Sequence, residues 1–216
     1  MVKNDQSSSA QIPGDIPGVT LSLVVKDKMV PIFFQLLGHG FNLNVQTGCS
    51  VKELLCQQFG IPEDYLDERI KTIFLNAKVV DDVSSATVNE GCTLALSGAM
   101  PGLVGAILRT GGFYASMRSQ ISYDQNNLSS SPRAGKITLK LLNLIVKELG
   151  PAFLEKGIWF NGGKLQEFIK HHLAELKAGG AANELNGEPV EINSLLEPDW
   201  DDKTVFLKVR SEKAAQ

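Results

Sequence analysis

The chain has 216 residues, 43% of them apolar and 21% charged, with 21 Lys and Arg against 24 Asp and Glu for a formal net charge of -3. This is the composition of a globular protein with room for one large core or two small ones, and its charge gives no reason to expect nucleic acid or an anionic bilayer as the main partner. Three cysteines, Cys49, Cys56 and Cys92, with no C-x-x-C pair, argue against a zinc site and a disulfide framework, and a reduced, cytoplasmic setting follows as the expectation.

In chain order, residues 1–18 lack the apolar core of a signal peptide and read as a flexible tail. Val19 to Val25 reads as a β-branched strand. Met29 to Leu37 is apolar but contains Pro31, which leaves an edge strand and a short helix both open. Phe41 to Val45 alternates with period two and predicts a strand. Val51, Leu54, Leu55 and Phe59 recur at helical spacing, with Ser50 and Glu53 placed for a capping box and Gly60 and Pro62 as the stop. Lys71 to Val80 predicts a strand that turns at Asn76, and Cys92 to Leu96 another strand. Cys56 and Cys92 sit in apolar patterns as small core residues, whereas Cys49 lies in a turn.

The stretch AMPGLVGAILRTGG, Ala99 to Gly112, follows. The charge-free run that overlaps it, Leu94 to Leu108, includes Pro101 and falls short of the ~20 residues a spanning helix needs. Its glycines fit neither the Walker A spacing nor the dinucleotide fingerprint. It reads as a close-packed connector with a surface for a partner protein or an anion, formed by Met100, Gly102, Gly105, Arg109, Gly111, Gly112 and Tyr114, with Arg118 beside them. Guanidinium and aromatic groups are common anchors at protein interfaces, and a helix begun at Pro101 would leave its first N–H groups unpaired. Ser119 to Lys136 has the Ser, Asn, Gly and Pro content of a linker.

The second half repeats the order of the first. Ile137 to Leu141, Leu149 to Phe153, Leu165 to Ile169, Leu185 to Gly187 and Thr204 to Leu207 match segments of the first half at offsets of about 110 to 118 residues. Lys136 to Glu148 fits a strand and a helical stripe alike. Lys164 to Lys177 predicts an amphipathic helix that buries Leu165, Phe168, Ile169, Leu173 and Leu176 and leaves His171 and His172 on its wetter side, diverging by about 100°. His39 lies in a Gly-His-Gly loop, and with Cys49 it forms the weak candidate pair for catalysis. The acidic pairs Asp81-Asp82 and Asp201-Asp202 read as solvated turns.

Val51 to Leu55 as a helix opening, Ile73 to Asn76 with Lys78 to Val80 as a strand and turn, and Val88 to Leu96 as an acidic turn before a last strand carry a resemblance. Over Val19 to Gly98 the chain resembles the ubiquitin-like sulfur-carrier proteins of the ThiS and MoaD group, and Leu165 to Ile169, Glu184 to Val190 and Asp201 to Leu207 give a fainter second copy. The resemblance implies an α+β protein of tandem β-grasp units, with domains at 19–98 and 136–210, a glycine-rich connector and polar linker at 99–135 and a tail at 211–216. Carrier chemistry needs a free terminal Gly-Gly, and Gly111-Gly112 is internal, so that activity is not carried over. No complete nucleophile-base-acid set, metal quartet or phosphate motif is legible. The expectation is a non-enzymatic protein-interaction module with no cofactor, metal, nucleic acid or membrane; the alternative is a diverged carrier or small-ligand-binding accessory in sulfur or cofactor metabolism.

Overall fold

The computed structural model describes residues 18–118, 121–123 and 131–212. Residues 1–17 of the tail expected at 1–18, residues 213–216 of the tail expected at 211–216 and part of the polar linker lie outside them, whereas Ser211 and Glu212 belong to the last strand rather than to a tail. The first half runs β1 (Val19–Lys26), a 3-10 turn (Asp27–Phe33), α1 (Phe34–His39), β2 (Phe41–Thr47), β3 (Cys49–Ser50), α2 (Val51–Glu53) widening into a π-helical turn (Leu54–Gln58), α3 (Glu63–Arg69), β4 (Thr72–Leu75), β5 (Lys78–Val79), β6 (Thr87–Val88) and β7 (Thr93–Ser97). Next come α4 (Gly102–Leu108) and a 3-10 turn (Phe113–Met117). The second half runs β8 (Arg133–Leu142), α5 (Leu144–Lys156), β9 (Ile158–Asn161), α6 (Gly162–His171), α7 (Leu173–Gly179), β10 (Gly180–Leu185), β11 (Glu188–Pro189), a 3-10 turn (Ile192–Leu196) and β12 (Thr204–Glu212).

Local chemistry sets many of these boundaries. Ser50 accepts from the Glu53 amide at 3.1 Å while the Glu53 carboxylate accepts from the Ser50 amide at 2.7 Å, so the predicted capping box opens α2. Those bonds hold the Glu53 carboxyl below its ordinary range. Asn76 and Ala77, and again Asn186 and Gly187, adopt positive φ and close the two-residue hairpins β4–β5 and β10–β11. Met29 to Leu37 resolves as helix, because Pro31 lacks the N–H that a strand ladder would use. The ambiguous Lys136 to Glu148 is both things in succession, the end of β8 and the start of α5, with Asn143 at positive φ between them.

Ten strands form one continuous mixed sheet in the order β11-β10-β1-β12-β9-β2-β8-β7-β4-β5. Alternate residues on one face are buried, among them Leu21, Leu23 and Val25 of β1, Leu139 and Leu141 of β8, and Val205 and Leu207 of β12. They share a core with Phe33 and Leu37, with Ile145 and Leu154 of α5, and with Leu165 and Ile169 of α6. Full burial of such a side chain is worth about 1.5–3 kcal/mol, so this shared layer is where most stability resides.

The pairing overturns the tandem β-grasp expectation, and with it the kinship to the sulfur carriers and the reading of an internal duplication. β8, from the second half, lies between β2 and β7, antiparallel to the first and parallel to the second. β1, from the first half, lies between β10 and β12. Neither half of the chain therefore completes a sheet by itself. The matched segments Val19–Leu23 and Ile137–Leu141 also hold different places: β8 stands second from the central contact of β2 with β9, and β1 stands third. Short alternating motifs specify a strand and its buried face but not its neighbour.

Candidate functional site

The glycine-rich segment is pinned at one end of the sheet. Thr110 donates its amide to the Lys71 carbonyl at 2.9 Å and its hydroxyl to the Val80 carbonyl at 3.1 Å. The Gly111 amide donates to Asp81 Oδ1 at 3.0 Å, and the Gly112 amide to the Arg109 carbonyl at 3.0 Å. Gly111 needs its positive φ for this path. The diglycine is thus an internal turn held by hydrogen bonds. Beyond it, the Val79 amide donates to the Ile121 carbonyl and the Tyr123 amide to the Val79 carbonyl, which covers the outer edge of β5.

Arg118 is the clamp beneath this segment. Its side chain is fully buried, donating to Asp81 Oδ1 at 2.5 Å and to the Arg109 carbonyl at 3.3 Å, whereas Asp81 remains partly exposed. Nε and Nη1 have no hydrogen-bond partner among the described residues. Arg118 is therefore structural rather than part of a partner surface, and Asp81 is its counter-charge rather than a purely solvated turn residue.

Above the clamp, the apolar side chains point outward. Val104 is 67% exposed and Phe113 91%, and Leu103, Tyr114, Met117 and Ile121 are exposed as well. Gly105 is the buried position of α4, and a Cβ there would overlap the Met100 carbonyl. Gly102 opens α4 with positive φ, Arg109 is exposed, Met100 is half-buried, and Phe113 meets Tyr114 edge to face at 5.2 Å. Met100, Gly102, Arg109, Gly111, Gly112 and Tyr114 thus lie along one segment, in whose frame the buried Gly105 and the hydrogen-bonded Gly111 and Gly112 stand. Leu103, Val104, Phe113 and Met117 supply most of its apolar area, and their exposure was not foreseen because an apolar helix ordinarily packs inward.

A second feature lies between α1 and α6. All three histidines of the chain, His39, His171 and His172, line one groove of about 660 Å³, together with Gln35, Lys164 and Glu167 on its walls and Leu36, Phe160 and Phe168 beneath. His39 is the last residue of α1, not a loop residue. Phe33 and Phe168 pack at 5.2 Å and the His172 ring rests on Phe168 at 4.8 Å. His172 Nε2 lies 2.5 Å from the Gln35 amide nitrogen, and Nδ1 lies 3.5 Å from the Glu175 carboxylate. His171 Nδ1 lies 2.8 Å from the Glu167 carbonyl, a contact that requires a proton on Nδ1 and turns Nε2 away from it.

Cys49 does not join His39. Its thiol donates to the Gln46 carbonyl at 3.2 Å and accepts from Gln58 Nε2 at 3.3 Å, and Cys49 is absent from the groove lining. Burial, then the Glu53 carboxylate, pushes the Cys49 thiol up, opposite to what a nucleophile needs. Cys92 is buried in the core with its thiol pushed up to about 11 by burial, and Cys56 is only half-buried.

Among the described residues, no three His, Cys, Asp or Glu side chains converge as metal ligands, and no helix is long and apolar enough to cross a membrane. Comparison with protein-family models, with curated proteins and with solved structures finds no match for this chain.

Proposed function

We propose that the chain is a protein-interaction module whose docking surface is α4 with the 3-10 turn at Phe113–Met117. The observation that carries this reading is the outward display of Leu103, Val104, Phe113 and Met117 on a backbone that Asp81, Arg118 and Thr110 hold in place. Contiguous apolar surface of this kind marks interaction sites, and a pre-held display loses less ordering entropy on binding. From Ala99 to Met117 the only charged residue is Arg109, which is exposed. The partner that suits it is a protein with an apolar groove and an acidic rim.

A photo-crosslinking residue at position 113 of the full chain, activated in the native cell, tests this. The expected result is a discrete heterologous crosslinked protein that is lost with Leu103→Asp while the melting temperature stays unchanged. No crosslink, a crosslink indifferent to Leu103→Asp, or a crosslinked dimer of the chain itself overturns the reading.

A further inference from the structure

We propose that the groove between α1 and α6 is a proton-linked site for a small aromatic carboxylate. The inference is independent of the docking surface on α4. The groove has the size and the composition of a ligand site, an apolar floor with a few convergent polar groups. Phe160 and Phe168 are buried and line the groove, and Leu36 lines it from α1. A flat apolar body fits that floor. A carboxylate fits the wall, where Lys164 is the permanent cation.

The charged and titratable groups that line the groove are His39 from α1, Lys164, Glu167 and His171 from α6 and His172 at the joint of α6 and α7, with Glu175 of α7 beside His172 and Lys140 of β8 alongside Gly40, the residue after His39. With the imidazoles neutral, Lys164 is offset by Glu167, and the lining has no net charge to attract an anion. Each proton taken up by an imidazole then adds one positive charge to it. At His171 the change is also geometric: Nδ1 is held to the Glu167 carbonyl, so the added proton goes to Nε2 and converts an acceptor into a charged donor. His172 is differently placed, its ring fixed by Phe168, Gln35 and Glu175, and it shapes the wall. His171 is therefore the lining group at which proton uptake changes the hydrogen-bonding character of the wall, and His39 shares that lining.

The sign follows. A bound carboxylate favours the protonated imidazoles, so binding takes up protons and affinity falls as pH rises through the interval in which imidazole ordinarily loses its charge, pH 5 to 8.

The three histidines give the experiment its selectivity, because every imidazole Cε1–H resonance of the full chain reports on this one groove. The probes are naphthalene-2-carboxylate, whose charge is constant between pH 6 and 8, and its neutral carboxamide. The expected result is that the carboxylate shifts the imidazole resonances and binds about tenfold more tightly at pH 6 than at pH 8, while the carboxamide shows no such pH dependence. His171→Gln, at an exposed position, should reduce the pH effect at least several-fold, and Lys164→Gln should weaken carboxylate binding at both pH values. Unmoved imidazole resonances overturn the proposal, as does equal carboxylate affinity at both pH values or equal pH dependence for the carboxamide.

Discussion

The shared sheet core and the segment from Met100 to Met117 are both rich in apolar residues, and they use them in opposite ways. In the core, Leu139 of β8 lies against Phe41 and Leu94 from the other half of the chain and is fully buried. In the segment, polar and backbone hydrogen bonds around Asp81 and Arg118 fix the path, and the apolar side chains face out. Hydrophobicity alone therefore does not identify a core; the number of facing elements does. β8 has a strand on each side and α1 and α5 against it, whereas α4 has the 3-10 turn as its main neighbour.

The most severe way to break this contrast is to cut the chain in the linker. Residues 18–118 lack β8 and residues 131–212 lack β1, so neither fragment should show a cooperative thermal transition alone, and mixing should restore one; two independent transitions would refute the interleaved sheet. Leu139→Ala comes next, with a loss of about 3 kcal/mol in denaturant unfolding from the cavity left between both halves. Asp81→Ala leaves the buried Arg118 without its counter-charge and should cost about 2 kcal/mol, with increased protease sensitivity at the segment. Glu148→Gln is smaller. The Arg69 guanidinium and the Tyr65 hydroxyl donate to this carboxylate from α3 and hold its pKa below the ordinary value. Its contribution, about 0.5–1 kcal/mol for a partly exposed pair, is present above the ordinary carboxylate pKa and lost as pH falls through the lowered one. The variant should therefore be less stable at pH 7 and indistinguishable from the parent in strong acid. Phe113→Ser should move stability by no more than about 0.5 kcal/mol, and a larger loss would show that the exposed segment is core after all.

Much of the local structure was legible from residues alone. Ser50 and Glu53 announced a cap, Asn76 announced a hairpin turn, and the Leu165, Phe168, Ile169 stripe announced the buried face of α6. These features depend on residues a few positions apart. Strand partnership does not: the alternation in β1 suits any neighbour with a complementary buried face, and the choice of β10 and β12 is made by the packing of the whole sheet. The candidate sites divide in the same way. The glycine-rich stretch is recognisable because its composition is local, although residue type alone puts Arg118 at the surface and the structure buries it. The histidine groove is not, because His39 and His171 share no spacing, and only the approach of α1 to α6 brings them to one groove.

The parallel pairing of β1 with β12 also has a consequence for synthesis. β1 leaves the ribosome long before either neighbour exists, since β10 and β12 both come from the far end of the described chain. At ~5–20 residues per second the interval is on the order of ten to forty seconds. During that time Val19 to Lys26 is an unpaired apolar strand, the kind of edge that recruits chaperones or other nascent chains. Expression yield, more than equilibrium stability, should thus respond to slower translation of the second half or to loss of holdase capacity in the host.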